Sequence, residues 1–297
     1  MADKLMKHTL STDIGGTNFS VALFHGQTMI TSETRSTLRD AGPAWMLDQM
    51  ESILSSWPEM ATLDGCGIGF GGPVDFYKQR VIYSTHVKGW DNFDLLGEVK
   101  RRFGVSAVID RDTMVGALGE GFFGAGRGVR PLFYMTLSTG IGGGLLMNDD
   151  HLFRGADSFA CELGHHMIVP DGPECLCGSN GCLERMCCGL WLERDYGRSA
   201  QELLLDSSFV EKYVLLLARG LKNTIMFFNP GKIVIGGGLS KAGDRLFVPL
   251  RRELDRQMPP WSKARVDVVA AELGGHSVLW GGLKLAEQEM YGELPRA

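Results

Sequence analysis

The chain has 297 residues, of which 44% are hydrophobic and 22% charged, so it is long enough for two domains with substantial cores. Its 30 Lys and Arg and 35 Asp and Glu leave a net charge of −5, and the basic residues are dispersed, which argues against nucleic-acid binding. Because the sequence shows neither a signal-peptide pattern nor an apolar run of about 20 residues, we expect a cytoplasmic protein without a membrane span.

The first part of the chain alternates between strand and helix signals. A glycine-rich turn, Asp13-Ile-Gly-Gly-Thr17, joins predicted strands at 9–12 and 19–25 and is expected to form the tip of a hairpin. The pattern then predicts a helix over 42–57, a strand over 65–70 that leads into Gly71 and Gly72, a helix over 95–103, a strand over 107–109 and a helix over 113–122.

A second round with the same element order begins at residue 132. It comprises a strand over 132–137, a glycine turn over 138–144 with a returning strand over 145–147, a helix over 209–228, a strand over 232–235 that leads into Gly237 and Gly238, and a closing helix over 278–291. The repetition predicts two similar α/β lobes with a cleft between them. We place the small lobe at 1–120, completed by the C-terminal helix at 278–297, and the large lobe at 121–277.

Both glycine hairpins have the composition of a phosphate-binding turn. Without Cβ atoms the backbone can approach an anion closely, successive N–H groups can form an anion nest, and a Thr hydroxyl adds a donor. Neither turn is a Walker loop, since no Gly-Lys-Ser or Gly-Lys-Thr follows, and neither is a dinucleotide fingerprint, since the glycines join two strands. Asp13 leads the first turn and can hold Mg²⁺ directly or through water.

Three thiols lie within eight positions in the segment Cys175-Leu-Cys177-Gly-Ser-Asn-Gly-Cys182, and His165 lies ten residues ahead of the first. This spacing predicts a zinc site whose four ligands are His165, Cys175, Cys177 and Cys182. Such a closed site has no open coordination position, so the zinc would be structural. The alternative is that the cysteines form a disulfide or are buried as small hydrophobic residues, and a disulfide would need an oxidising compartment.

Two carboxylates bracket the proposed zinc ligands. Glu162 lies three residues before His165, and Glu184 lies two residues after Cys182. Because the metal would fix both, the pair could accept hydrogen bonds from a polyhydroxylated ligand. Alternatively, each is a solvated surface glutamate.

The ordered motifs resemble those of the ROK (repressor, open reading frame, kinase) family, whose kinase members phosphorylate hexoses. The resemblance covers about residues 9–290 and rests on these segments: Asp13-Ile-Gly-Gly-Thr17, Leu137-Ser-Thr-Gly-Ile-Gly-Gly-Gly144, Glu162-Leu-Gly-His165, the cysteine segment with Glu184, and Ile233-Val-Ile-Gly-Gly-Gly-Leu-Ser240. It implies the α/β actin-like ATPase fold (ribonuclease H-like, duplicated), Mg-ATP and a hexose as partners in the interdomain cleft, and a homodimer.

The resemblance also implies roles for individual residues. Asp112 matches the catalytic base that accepts the proton of the sugar 6-hydroxyl, although on local sequence alone it could equally be the N-cap of the following helix. The positions that match ATP and phosphate contacts are Asp13, Gly15, Gly16, Thr17, Thr139, Gly140, Gly237 and Gly238. The positions that match sugar contacts are Gly72, Arg111, Asp112, Glu162, His165 and Glu184.

The departures from the family pattern lie around the sugar. Arg111 and Met114 stand where the family commonly has Asn, and Thr85-His86 replaces a Pro-Asn pair. The substrate is therefore open between glucose and another hexose such as N-acetylmannosamine, fructose or an amino sugar. Arg111 either turns outward to a surface carboxylate or directs its guanidinium toward vicinal hydroxyls or an acidic substituent.

Two other classes of function remain as alternatives. A family repressor would need a DNA-binding helix-turn-helix ahead of the first strand, where about eight residues stand. A non-catalytic, regulatory sugar-binding protein could keep the altered pocket without turnover.

Overall fold

The computed structural model describes residues 8–57, 63–84, 87–262 and 266–295. The segment ahead of His8, where we expected no DNA-binding motif, and the Thr85-His86 pair lie outside the described residues. The elements run in chain order as β1 (His8–Ile14), β2 (Asn18–His25), β3 (Thr28–Ser36), α1 (Gly42–Ser55), β4 (Gly65–Phe70), β5 (Val74–Asp75), β6 (Arg80–Val81), α2 (Leu95–Phe103), β7 (Ala107–Arg111), α3 (Asp112–Phe123), β8 (Leu132–Leu137), β9 (Ile141–Leu146), α4 (Leu183–Cys187), α5 (Gly189–Tyr196), α6 (Ala200–Leu203), α7 (Ser207–Phe228), β10 (Lys232–Gly236), α8 (Asp244–Gln257), β11 (Asp267–Ala270) and α9 (Ser277–Met290).

The chain divides into two compact units. Unit 1 comprises the described residues within Met1–Phe122, Arg154–Ala160 and His276–Ala297, and unit 2 comprises those within Phe123–Phe153 and Cys161–Gly275. Among the described residues, no helix combines the length and the apolar character needed to cross a membrane.

Unit 1 is built on a mixed sheet with the strand order β3-β2-β1-β4-β7. The predicted hairpin of β1 and β2 is confirmed, and its tip is closed by a hydrogen bond from the Gly15 N–H to the Asn18 carbonyl, 3.0 Å. Strands β1, β4 and β7 run parallel, so their carboxyl ends reach the same edge of the sheet. This edge carries Asp13, Gly71 and Asp112.

Strand β3 was not predicted. Along its nine residues the side chains alternate between exposed and partly buried, and none is fully buried. An edge strand of this kind is rich in Thr, Ser, Glu and Arg and lacks the apolar signal that marks a core strand. The core of the unit lies instead on the inner strands, where Phe19, Ile68 and Ile109 are at most 1% exposed. Helix α9 covers β1 and β4.

Unit 2 is built on a four-stranded sheet with the order β11-β10-β8-β9. Strands β8 and β9 form the predicted second hairpin, but its turn is shorter than expected. β9 begins at Ile141, so Gly142, Gly143 and Gly144 belong to the strand and not to the turn. The glycines give room for packing, since a β-carbon at Gly143 would lie 2.6 Å from Leu163 Cδ2.

The segment 154–160, which the sequence analysis placed in the large lobe, belongs to unit 1. Arg154 forms a buried ion pair with Asp110, with 2.7 Å between Nε and Oδ2, and its guanidinium lies 3.6 Å from the centre of the Phe76 ring. Ser158 Oγ accepts the Phe76 N–H at 2.9 Å. These long-range contacts are side-chain pairings that no local pattern predicts.

Candidate functional site

Asp13 and Asp112 are the acidic pair at the carboxyl edge of the unit 1 sheet. Both side chains are half-buried, and desolvation together with the Asp112 carboxylate raises the pKa of Asp13 to about 8. Two neighbouring carboxylates in a poorly solvated position repel each other, and a divalent cation would relieve that repulsion. The donor set therefore fits Mg²⁺, which prefers carboxylate oxygens and water.

The glycine turn that follows Asp13 is tied to the chain beyond β3. Thr37 donates its hydroxyl to the Gly15 carbonyl and its N–H to the Thr17 carbonyl, both at 2.9 Å. Thr17 is exposed at the tip and Gly16 is half-buried. The three predicted phosphate contacts, Gly15, Gly16 and Thr17, therefore lie on a turn in which Thr37 hydrogen-bonds to two of the carbonyl groups.

Asp112 is the first residue of α3. Its Oδ1 accepts the N–H of the next residue, Thr113, at 2.7 Å, whereas a side chain that caps a helix accepts from the second or third helical residue. Its Oδ2 points toward the loop after β4, because a β-carbon added to Gly71 in that loop would lie 3.5 Å from this oxygen. Gly72, a predicted sugar contact, is the next residue. This hydrogen bond and the proposed base use different oxygens, so the two are compatible.

Arg111 is buried, with 4% of the residue exposed, so of the two alternatives the one in which it turns outward to a surface carboxylate is wrong. Its Nη2 donates to the Ala160 carbonyl, and its backbone N–H donates to Asp110 Oδ1 at 2.8 Å. Met114, which the sequence analysis grouped with the sugar edge, is fully buried in the core. The guanidinium is thus held within unit 1, beside the residue proposed as the catalytic base.

The four predicted zinc ligands converge in unit 2. One ligand atom from each of His165, Cys175, Cys177 and Cys182 lies within 4.8 Å of the others. The Cys177 and Cys182 sulfurs are 3.6 Å apart, and Cys175 Sγ is 3.8 Å from His165 Nδ1. Sulfurs bound to one tetrahedral zinc at about 2.3 Å stand roughly 3.8 Å apart, whereas disulfide sulfurs stand at about 2.05 Å. The separations fit a shared metal, and Cys175, Cys177 and Cys182 form no disulfide.

Backbone pairing brings His165 to the cysteines. The Ile168 and Val169 N–H groups both donate to the Gly181 carbonyl, at 2.9 and 3.1 Å, and the Leu183 N–H donates to the His166 carbonyl at 3.0 Å. Gly181 has a φ of +59°, and a β-carbon there would lie 1.7 Å from the Val169 carbonyl oxygen. Only glycine can occupy this position without moving the backbone.

The two bracketing glutamates have different surroundings. Glu162 is exposed, whereas Glu184 is half-buried and its Oε2 accepts the Ile141 N–H at 2.8 Å. Glu184 therefore contacts the second glycine hairpin, a connection that the sequence did not predict. The alternative that Glu184 is a solvated surface residue is wrong.

The remaining glycines of unit 2 meet the same hairpin. Because β10 runs parallel to β8, Gly237 follows β10 next to the end of β8. Gly237 has a φ of +87°, and its backbone lies so close to β8 that a β-carbon added to it would stand 2.4 Å from the Leu137 carbonyl oxygen. A β-carbon at Gly238 would lie 3.9 Å from Ser138 Oγ. The four predicted nucleotide positions of this unit, Thr139, Gly140, Gly237 and Gly238, are thus neighbours.

Arg185 is a residue of this region that the sequence analysis did not identify. Its Nε donates to the Glu174 carbonyl at 3.1 Å, its Nη atoms pair with the Asp195 carboxylate at 2.7 and 3.2 Å, and its guanidinium stacks 4.1 Å from the Trp191 ring centre. It ties the loop ahead of Cys175 to α5. Its position directly after Glu184 was the only feature of the sequence that could have indicated a role at this site.

The chain is similar to known proteins along most of its length. The family model described as ROK family matches residues 9–289. A glucokinase of Thermotoga maritima is 30% identical over 95% of this chain and 98% of its own length. A xylose repressor of Bacillus spizizenii is 26% identical over 80% of this chain and 64% of its own. A ROK family glucokinase from Streptomyces griseus, solved with glucose and AMPPNP, superposes with a TM-score of 0.81 at 27% identity, over 95% of this chain and 99% of that one.

Proposed function

The chain belongs to the ROK family, and we propose that it is an ATP-dependent hexose kinase that transfers the γ-phosphoryl group to the sugar 6-hydroxyl. Its α/β fold is the predicted actin-like ATPase fold of the ROK glucokinases, as the superposition shows. Glucose is the first substrate to test, because the relatives named glucokinase match nearly the whole chain.

The observation that carries this proposal is the pair Asp13 and Asp112 at one sheet edge of unit 1. We propose that Asp112 orients the acceptor hydroxyl and takes its proton through Oδ2, because Oδ1 is already bonded to the Thr113 N–H. The ionised Asp13 would hold Mg²⁺, which neutralises charge on the phosphate oxygens when it is bound with ATP. Gly15, Gly16 and Thr17 would receive phosphate oxygens through the first turn, and Thr139 and Gly140 through the second.

The positions proposed to contact the sugar are Gly72, Arg111, Glu162, His165 and Glu184. Arg111 has five N–H donors and no acceptor, so it would favour a hexose whose distal edge presents acceptors and would disfavour an amine there. Its hydrogen bond to the Ala160 carbonyl fixes the guanidinium and supports a defined role in specificity. This would distinguish the protein from kinases that carry Asn at the same position.

We propose that His165, Cys175, Cys177 and Cys182 bind one structural zinc ion, and that the cytoplasm, as a reducing compartment, keeps the thiols available for it. The converging ligand atoms support this assignment. The metal would hold Glu162 and Glu184 with the same loop, and no reaction step would pass through it.

We propose a homodimer, supported by exposed apolar side chains in unit 2. Phe227 is 81% exposed at the end of α7, and Met226 and Phe153 are 41% and 43% exposed. A Phe227→Asp variant should shift the mass measured by light scattering from dimer to monomer. A wild-type protein that is monomeric at micromolar concentration would contradict the proposal.

The proposed activity is tested by a coupled assay of Mg-ATP consumption with a panel of hexoses that includes glucose, mannose, fructose, N-acetylmannosamine and glucosamine. The kinase proposal predicts turnover with at least one of them. Binding of a hexose without any ATP consumption would favour a regulatory sugar-binding protein, the activity class suggested by the similarity to the repressor.

A further inference from the structure

We infer that Glu184 is a positioning residue for the phosphate-binding hairpin at 138–141, so that the zinc loop controls the affinity for nucleotide as well as for sugar. The inference rests on the proposed kinase function, because it assigns a second role to Glu184, which is already proposed to contact the sugar.

The first observation is the direct contact between Glu184 and the hairpin. Glu184 Oε2 accepts the Ile141 N–H at 2.8 Å, and a β-carbon at Gly140 would lie 2.8 Å from the same oxygen. A carboxylate that accepts a backbone N–H forms a charge-assisted bond, which is stronger than a bond between neutral groups. The turn that would receive phosphate therefore has one end fixed by Glu184.

The second observation is that the residues just after Glu184 hold the other side of the same hairpin. The Gly189 N–H donates to the Ser138 carbonyl at 2.7 Å, and the Leu190 N–H donates to the Thr139 carbonyl at 3.2 Å. A phosphate nest requires N–H groups directed at the anion, and fixing the carbonyl groups restricts how the peptide planes can rotate. The segment 184–190 thus supports the hairpin at both ends.

The third observation connects this segment to the metal loop. Cys182 is followed immediately by α4, and its carbonyl accepts the Met186 N–H at 3.1 Å. The carbonyl of Glu184 accepts the Cys188 N–H at 3.0 Å, which joins α4 to α5. Arg185 links α5 to the loop ahead of Cys175. A displacement of the metal loop would therefore move Glu184 and the hairpin together.

The sugar role and the positioning role use different properties of Glu184. Gln has an amide oxygen that can still accept the Ile141 N–H, whereas Ala has no acceptor. Asp keeps the charge, but it is one methylene shorter and cannot reach the N–H from the same backbone position. Substitution by Gln, Ala and Asp therefore separates the hydrogen bond to the hairpin from the charge.

The test measures binding of Mg-AMPPNP by isothermal titration calorimetry to the sugar-free full-length protein, together with hydrogen exchange of the Ile141 amide. Glu184→Ala and Glu184→Asp should raise the nucleotide Kd by about tenfold or more and speed up exchange at Ile141. Glu184→Gln keeps a neutral hydrogen bond to Ile141, which is weaker than the charge-assisted one, so its effect on both should be clearly smaller than that of Glu184→Ala. Cys177→Ser should raise the nucleotide Kd in the same direction as Glu184→Ala.

Glu162→Ala is the matched control, because it removes the other carboxylate of the proposed sugar set. It should weaken hexose binding and leave the nucleotide Kd within about twofold. If Glu184→Ala and Glu184→Asp weaken only hexose binding, the positioning role is refuted while the kinase proposal stands. If wild type binds no Mg-AMPPNP and consumes no ATP with any hexose, both fail. If Glu184→Ala does not fold, Glu184→Asp and Glu184→Gln decide the question.

Discussion

Replacing Asp112 by Asn separates the proposed catalytic base from the hydrogen bond that Asp112 makes at the start of α3. Asn keeps an Oδ1 that can accept the Thr113 N–H, now bonded at 2.7 Å, so this hydrogen bond at the start of α3 should be retained. The variant loses the proton acceptor and the negative charge. General base catalysis contributes roughly 10²–10⁴-fold, so we expect kcat to fall about 10³-fold, or ~4 kcal/mol of activation free energy.

The assay compares wild type, Asp112→Asn and Asp112→Ala at saturating Mg-ATP and hexose, with sugar binding and thermal melting measured on the same samples. The Asn variant should bind sugar and melt near the wild-type temperature, whereas the Ala variant should lose both activity and the hydrogen bond to the Thr113 N–H. The pKa of Asp13 should also fall in the Asn variant, because a neighbouring charge that raises it is gone. Wild-type turnover in Asp112→Asn would refute the assignment.

Zinc analysis should give one equivalent of zinc per chain. Cys177→Ser should lower both the zinc content and the melting temperature, since a closed metal site contributes folding energy. An unchanged melting temperature would argue against the metal. Arg111→Asn should shift kcat/KM toward glucose by about tenfold or more, ~1.4 kcal/mol, and an unchanged hexose ranking would show that the guanidinium carries no specificity. Arg154→Met should destabilise the protein by about 3–5 kcal/mol, because it leaves the buried Asp110 carboxylate without its ion-pair partner. Adding Asp110→Asn should recover part of this loss. Equal unfolding free energies in the single and double variants would contradict the prediction. In the folded state the pKa of Asp13 is about 8, so its carboxyl stays protonated up to about that pH, whereas in the unfolded chain it ionises above about pH 4. The contribution of Asp13 to stability is therefore lost as the pH rises from about 4 to 8. In Mg²⁺-free buffer, the stability of Asp13→Asn relative to wild type should therefore rise over that interval and level off above it; a constant difference would refute the shifted pKa.

Segments with strong local signals were predicted closely. Helix α2 and strands β4 and β8 have the predicted bounds, because a turn signal or a capping residue stands at each end of their apolar runs. Helix α8 and strand β11 were missed. Helix α8 contains Pro249, which a local reading treats as a helix breaker, and β11 has only four residues. In both cases tertiary packing outweighs a weak local preference.

The candidate site was predicted where chemistry depends on residue type and spacing. Cys175, Cys177 and Cys182 could be grouped because their separations along the chain are short, and His165 because a turn rich in Gly and Pro follows it. Their convergence in the structure agrees with that reasoning. Arg111 could not be placed, since a long side chain can turn toward solvent or the core, and the choice depends on Ala160, 49 residues away.

The sequence by itself determined the two glycine hairpins, the acidic residue after β7 and the metal-binding spacing, because each depends on local backbone preference or on ligands close in the chain. Only the tertiary structure decided that 154–160 packs in unit 1, that Arg111 is buried, and that Glu184 holds the hairpin at 138–141. These features are hydrogen bonds and ion pairs between distant segments. Their partners become neighbours only when the sheets have formed, so no local pattern in the chain encodes them.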